Sequence, residues 1–467
     1  MSVLAPPEEG TEIDGFCLGE LMHNGSMASI HRLRGPGGPL PLIIKIPRLG
    51  FGERAVNVIS FEVCRMVLGA LAQSRHHPTL VAHGDVETTP YLVMEHVEGP
   101  RLSDWVDRAP CPPGEVARVG AAMAVALHDI HRQDVVHLDL KPTNVLFRAG
   151  GEAVLIDFGL SHHSHYPDLL AEELRYPVGN WVYMAPEQVL GVRCDPRSDI
   201  YALGGLLYEL ATGRKPFGHP TTMAQLRGRL RRNPPPPRAI VPQAPEWLQE
   251  IILHCLEIDA RDRYDSAADL ALELSRPERV EVTERGTRTR GDSWRTQVRL
   301  WMRARTFEPA PCPAPSMAIG VAPTILVAIG PEQDDNQLDA MREEARRLLA
   351  ADERYRIACA TVVPPAAGLS GEREEETATG RHIKHLVSLR RWAKPLDLPE
   401  ERVTYHVLES EKPAVALLDY AKVNDVDRIL IGGPRGSASV RLFPGVAFQV
   451  AAEAPCSVSI VRPQPES

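Results

Sequence analysis

No stretch of this chain is apolar for long enough to cross a bilayer. The longest apolar run, Val116 to Leu127, is interrupted by Arg118 and falls short of the roughly 20 residues that a spanning helix needs. Met1 to Gly10 is acidic and proline-rich, which is not the pattern of a secretory signal. A receptor with an external sensor is therefore not expected. Cysteine is sparse: the eight thiols are scattered without a CxxC pair. Reduced, mostly buried thiols in a cytoplasm are expected, rather than a metal site or a disulfide framework. An excess of positive charge is also missing. The formal net charge of -9 argues against nucleic acid and against an anionic membrane as partners. Aromatic residues make up only 5% of the chain, yet its 43% hydrophobic content is that of an ordinary soluble protein. With 467 residues the chain exceeds one ordinary domain, and two or three are expected.

What the chain does have is a dense polar string between two apolar, strand-like runs, Val135-Val136 and Val154-Leu155-Ile156. The string reads His137-Leu138-Asp139-Leu140-Lys141-Pro142-Thr143-Asn144, and Asp157-Phe158-Gly159 follows the second run. Asp139 can accept the proton of an attacking hydroxyl. Asn144 and Asp157 offer the oxygen ligands that magnesium requires, on two loops that a hairpin would bring together. Lys141 points to the same side as Asp139 and can neutralise a transferring phosphate. The HxDxKxxN string, the DFG that follows and Ala185-Pro186-Glu187 beyond it resemble the catalytic and metal-binding loops of eukaryotic-like protein kinases. Lys141-Pro142-Thr143-Asn144 matches the Ser/Thr-directed branch. The resemblance implies a bilobal α+β kinase fold, ATP and Mg2+ as cofactors, and protein substrates.

Upstream, apolar runs at Phe16-Cys17-Leu18, Ala28-Ser29-Ile30 and Leu42-Ile43-Ile44, punctuated by Gly and Pro, read as an antiparallel sheet. In protein kinases a GxGxxGxV loop here covers the phosphates. Placing Ile30 on its valine puts His23, Gly25 and Ala28 on its three glycines, so only the middle glycine is kept. Gly25 still lets backbone N–H groups approach a phosphate. Lys45, on the next strand, matches the lysine that contacts the α and β phosphates. Its partner is expected to be Glu62, on a helix whose apolar spacing runs through Phe61 to Leu71, with Glu53 as fallback. Tyr91 to Gly99 resembles the strand and hinge between the lobes. There Met94 would gate an adenine pocket lined by the Glu95 carbonyl and the Val97 N–H.

Downstream, Leu138 stands where many kinases carry an arginine that binds a phosphorylated activation loop. The segment from Leu160 to Met184 contains no Thr, so a loop that orders without phosphorylation is expected. His162, His163 and His165 read as a solvated polar loop. Asn180 replaces the usual threonine of the substrate-docking loop and can hydrogen-bond the catalytic Asp and Lys. Asp199 is expected to be a buried carboxylate holding the catalytic-loop backbone, and Arg263 to pair with Glu187. The kinase resemblance covers residues 10–276.

Residues 277–322 read as a helical connector ending in a proline-rich linker. Trp294, Val298, Trp301 and Met302 fall on one helical face that could pack on either neighbour. From 323 to 463, strands and helices alternate as in a parallel, doubly wound α/β sheet. Their order and the ending Ala454 to Pro463 resemble the universal stress protein family. In that family a GxxGx9G(S/T) loop and an Asp after the first strand bind ATP. Here Gly433, Gly436 and Gly445 remain with one gap a residue short. Val446 replaces the hydroxyl residue and Gly330 stands at the acid's place, so a regulatory or scaffolding domain is expected. The last strand, Ser457 to Val461, is the candidate homodimer interface.

These features together predict a cytoplasmic Ser/Thr protein kinase with a regulatory C-terminal domain. The competing expectation, resting on the eroded glycine loop and Asn180, is a pseudokinase scaffold that binds nucleotide or partners without catalysis.

Overall fold

The computed structural model describes residues 6–25, 27–34, 41–48, 55–84, 89–166, 168–170, 177–312, 323–331, 333–352, 354–364, 378–399, 402–424, 426–433 and 445–462. Glu53, Tyr176 and Gly436 lie outside them. The chain begins with a six-stranded antiparallel sheet in the order β1-β2-β3-β4-β6-β5. Its strands are β1 (Glu12–Ile13), β2 (Phe16–Asn24), β3 (Ala28–Arg34), β4 (Leu42–Pro47), β5 (Leu80–His83) and β6 (Leu92–Glu95), and helix α1 (Ala55–Ala70) crosses from β4 to β5. Side chains alternate across a strand, which sorts this sheet's two faces. Leu18, Ile44, Tyr91 and Val93 form one small core. Ile43, Leu92 and Met94 face the other way, toward Val63 and Val67 of α1. Lys45 follows Ile44, so the alternation turns it to the α1 side.

The second lobe is helical. Helices α2 (Leu102–Val106) and α3 (Pro113–His131) lead into the short strands β7 (Val135–Val136), β8 (Val145–Phe147), β9 (Ala153–Leu155) and β10 (His162–His163). β8 and β9 form the hairpin that brings Asn144 and Asp157 together, and β10 pairs with β7. Helices α4 (Pro186–Val189), α5 (Arg197–Thr212), α6 (Met223–Leu226), α7 (Glu246–Cys255) and α8 (Ala267–Ser275) complete it, with α3 and α5 at its centre. α5 is buried from Ser198 to Thr212, as expected of a helix that is largely apolar on all sides.

The connector contains α9 (Glu284–Thr287) and α10 (Trp294–Arg303). Arg303 reaches back to Asp259 at 2.8 Å, and Ala304 and Phe307 pack against Met184 and Leu230. The Trp294, Val298, Trp301 and Met302 face does not pack: these residues are 45–70% exposed and Leu300, on the opposite side, is the buried one. A cysteine expectation also changes. Cys194 after α4 and Cys312 of the connector form a disulfide, because the connector folds back onto the helical lobe across 118 residues of sequence.

The last unit is a five-stranded parallel sheet in the order β13-β12-β11-β14-β15. It comprises β11 (Thr324–Ala328), α11 (Asp335–Ala351), β12 (Arg356–Val363), α12 (Ala378–Ala393), β13 (Val403–Glu409), α13 (Pro413–Val423), β14 (Arg428–Gly432), α14 (Val446–Glu453) and β15 (Ser457–Val461). It is the doubly wound sheet that the alternating pattern predicts. Strand order reverses beside β11, where such folds bind ligands, and there Gln337 donates to the Gly433 carbonyl at 3.0 Å. A Cβ at Gly432 would meet the Gln333 and Gln337 amides, so these side chains fill the crevice. β15 is an edge strand with Ile460 exposed. This unit sits against the first two lobes: α12 packs on α1, Arg356 stacks over the Tyr166 ring at 5.2 Å, and Asn424 accepts from the Asp168 N–H at 3.3 Å.

Candidate active site

The catalytic-loop backbone is shaped by one buried carboxylate. Asp199, at the start of α5, accepts from the His137 N–H (2.8 Å) and the Leu138 N–H (2.9 Å), and lies 2.9 Å from His131. Leu138 is thereby held at φ 63°, a conformation a bulky side chain avoids. Its carbonyl accepts from Gln188 at 3.1 Å. The turn after Leu138 presents Asp139 to the cleft. Asp139 Oδ2 lies 2.6 Å from Lys141 Nζ and 3.2 Å from Asn144 Nδ2. Its Oδ1 accepts from the Asn180 N–H at 3.0 Å. The Asn180 side chain does not bridge Asp139 and Lys141 as the sequence suggested. Its Oδ1 turns back to the Val182 N–H at 3.0 Å, a local cap of the kind asparagine favours.

Asp157 leaves β9 at φ 67°, a region Asp tolerates better than most residues. Phe158 behind it is fully buried against the His137 ring, 5.1 Å away. Gly159 lets α1 approach: a Cβ there would lie 2.1 Å from Ser60 Oγ and 3.1 Å from its carbonyl. Gly159→Ala is accordingly expected to lower stability by about 1–3 kcal/mol through overpacking, read as a fall in Tm. An unchanged Tm would mean that α1 does not press on this turn.

Lys45 and Glu62 do not meet. Lys45 Nζ sits 2.7 Å from Asp157 Oδ1. The Lys45 ammonium outweighs burial and pulls the Asp157 carboxyl down to about 2. Burial alone would lower the Lys45 pKa, but Asp157 more than offsets it and the ammonium is held charged. Glu62 is instead bound by Arg65 (3.2 Å) and by Arg390 of α12 (2.6 Å). The pairing expected from sequence fails because a guanidinium from the last domain reaches Glu62 on its far side, while Asp157 stands nearer to Lys45.

In the loop between β2 and β3 the Gly25 carbonyl accepts from Arg48 Nε at 2.8 Å, and Arg48 also bonds the Asn24 side chain. Register shifts in β2 before His23 turn the strand here, as bulges do. Ile30 faces Lys45 across the β3–β4 ladder. At the hinge, the Glu95 side chain is occupied by Arg148 at 2.5 Å and its N–H donates to the Thr79 carbonyl at 3.0 Å. Asn144 is buried, with its Nδ2 bonded to the Asp139 carbonyl at 3.0 Å. Asn144 Oδ1 and the Asp157 carboxylate are hard oxygen donors at the mouth of one hairpin, a donor set suited to Mg2+.

Two residues that sequence reasoning passed over fix the activation segment. Arg193 bonds Asp168 (2.7 Å) and the Leu160 carbonyl (2.8 Å). Buried Arg229 bonds the Met184 and Trp181 carbonyls. His163 is buried rather than solvated, and burial pushes its pKa down to about 3. Its ring meets Tyr166 at 4.5 Å. Among the described residues no group of His, Cys, Asp or Glu is arranged to hold a metal ion by itself.

Residues 67–273 match the protein kinase domain family, and residues 323–462 match the universal stress protein family. Over 285 residues the chain is 36% identical to serine/threonine-protein kinase Pkn1 of Myxococcus xanthus, covering 59% of this chain and 38% of that one. It is 29% identical over 279 residues to serine/threonine-protein kinase PknB of Mycobacterium tuberculosis, covering 58% of this chain and 44% of that one. The chain thus spans less than half the length of these relatives. The solved kinase domain of Mycobacterium tuberculosis PknI is similar with a TM-score of 0.45 and 22% identity, covering 58% of this chain and 100% of that one.

Proposed function

We propose that this chain, which joins a protein kinase domain to a universal stress protein family domain, transfers the γ-phosphoryl group of ATP to serine or threonine hydroxyls of proteins. The observation that carries the reading is the Asp139 cluster: one carboxylate held by Lys141, Asn144 and the Asn180 N–H at the floor of the cleft. Asp139 orients the substrate hydroxyl and accepts its proton. Lys141 stabilises charge on the transferring group. Lys45 holds the α and β phosphates, and Gly25 and Ile30 close over the nucleotide. The Glu95 carbonyl and Val97 N–H receive the adenine. Asn144 and Asp157 would hold Mg2+, which supplies charge neutralisation at the phosphates when bound. Transfer of this kind depends on positioning and fixed charge, so the residues act as a unit.

The kinase unit comprises residues 10–276 and the regulatory unit 323–463, joined by 277–322. No helix among the described residues is long and apolar enough to cross a membrane, which is consistent with a cytoplasmic protein. β15 is open to a second copy, and the homodimer reading rests on that edge. Incubation with labelled ATP and magnesium, followed by phosphoamino-acid analysis of the chain and of a generic basic protein, tests the function. Label on serine or threonine that chelation of the metal abolishes is expected; label on tyrosine alone, or none, would refute it.

A further inference from the structure

The C-terminal domain reaches into the kinase at one charged point. Arg390 of α12 is buried, stacks on the Tyr405 ring at 5.4 Å, and places Nη2 2.6 Å from Glu62 Oε2. Arg65 shares that same oxygen. Glu62 Oε1 is buried with no hydrogen-bond partner among the described residues, a costly state for a carboxylate oxygen. The side chain of α1 beside Lys45 and Asp157 is Cys64. Two residues from Glu62 is roughly 200° around a helix, so α1 is turned with Glu62 toward the C-terminal domain and away from the cleft. Lys45 meanwhile neutralises Asp157, the residue needed for the metal. Phosphoryl transfer in this fold requires the lysine–glutamate pair and a free metal-binding aspartate at the same time. Neither is in place here, and the last domain holds α1 in this orientation. The same domain grips the activation segment through Arg356 at Tyr166 and Asn424 at Asp168.

We propose that the C-terminal domain is an inhibitory clamp on the kinase, with Arg390 as the positioning residue that captures Glu62 and denies it to Lys45. The inference rests on the kinase reading above. Undocking of α12 frees Glu62, whose unpartnered Oε1 is the acceptor for Lys45, and Asp157 is released for the metal. Anything that binds this domain better when undocked raises activity, since a ligand shifts such an equilibrium only by its differential affinity.

The test uses the full chain as wild type, Arg390→Met, Glu62→Gln and the double variant, with Asp139→Asn as the blank. Methionine keeps the stem that packs on Tyr405 and removes the charge. Phosphate transfer from labelled ATP and magnesium to a generic basic protein is read alongside hydrogen exchange of residues 57–70. Arg390→Met is expected to transfer at least about fivefold faster, the lower end of ordinary coupling between sites, with faster exchange in α1. The gain should vanish in the double variant, because it requires Glu62, and exchange that quickens in residues 57–70 while the helices of the second lobe exchange as in wild type separates release of α1 from general loosening of the fold. Asp139-dependent transfer that Arg390→Met leaves unchanged or lowers, or a gain that survives without Glu62, overturns the clamp and leaves the kinase reading standing. Absence of Asp139-dependent transfer in every variant overturns both.

Discussion

Asp139→Ala is expected to slow phosphate transfer by about 10²-fold or more, the contribution of a positioned general base, while leaving the fold intact. The chemistry sets this size. Asp139 Oδ2 is aligned by Lys141 at 2.6 Å and Asn144 at 3.2 Å, and Oδ1 by the Asn180 N–H at 3.0 Å. Three donors fix one carboxylate, so the acceptor for the hydroxyl proton is preorganised. Alanine removes that acceptor and leaves Lys141 with no counter-charge at this position. Little stability is lost, since the Lys141 side chain is 28% exposed and water can replace the partner. The measurement is a rate under saturating ATP with Tm as control. A rate within a few-fold of wild type at unchanged Tm would mean that the cluster is not where chemistry occurs.

Arg263→Ala is expected to cost stability instead, by about 3–5 kcal/mol, the penalty for leaving a buried charge without its partner. That is a large share of the roughly 5–15 kcal/mol that holds a domain folded. Arg263 is wholly buried and binds Glu187 through two bonds of 2.6 and 2.8 Å. It also donates to the carbonyls of Arg197, Glu257 and Ile258 and lies over the Tyr201 ring at 4.9 Å. The loss therefore leaves a buried carboxylate with the Ser198 hydroxyl alone among side-chain donors and takes one donor from each of three carbonyls. Lysine cannot restore the planar fork, so Arg263→Lys should recover only part of the Tm. Burial alone would raise the Glu187 pKa, but Arg263 and the Ser198 hydroxyl outweigh it and hold the carboxyl below its ordinary value. In the native protein this contributes stability above the unfolded pKa that fades as pH falls through the folded one. In Arg263→Ala only hydrogen bonds such as that from Ser198 still oppose burial, the folded pKa rises, and the stability of the variant falls as pH rises toward it. The Tm gap to wild type should accordingly be smaller at about pH 5 than at about pH 8. A gap that is constant or reversed would mean that Glu187 is not the group left exposed to the penalty.

The parts of this molecule that are legible in sequence are those built from short spacings. HxDxKxxN places Asp139, Lys141 and Asn144 on one turn, and the apolar runs at 135–136 and 154–156 show the hairpin that brings up Asp157. Asp199 was also readable, because a buried carboxylate must find a donor, and the Glu187–Arg263 pair was readable through the kinase resemblance. In the last domain, the alternation of strands and helices left few topologies other than a parallel sheet. What was not legible depends on contacts between distant segments. Glu62 lies 328 residues from Arg390, and no periodicity in either helix marks the other. The Cys194–Cys312 bond needs the connector to fold back, which composition does not encode. Asn180 shows the same limit at short range: its type permits a bridge to Asp139 or a cap on Val182, and the backbone of the docking loop decides between them.

The central claim is that Asp139 and its neighbours move a phosphoryl group. The most direct measurement is transfer of labelled γ-phosphate from ATP with magnesium to the chain itself and to a generic basic protein, wild type beside Asp139→Asn. Label on wild type that is lost in Asp139→Asn, with ATP still bound, is the predicted result. Equal label on both, or none on wild type despite measurable ATP binding, would contradict the account and favour a nucleotide-binding scaffold.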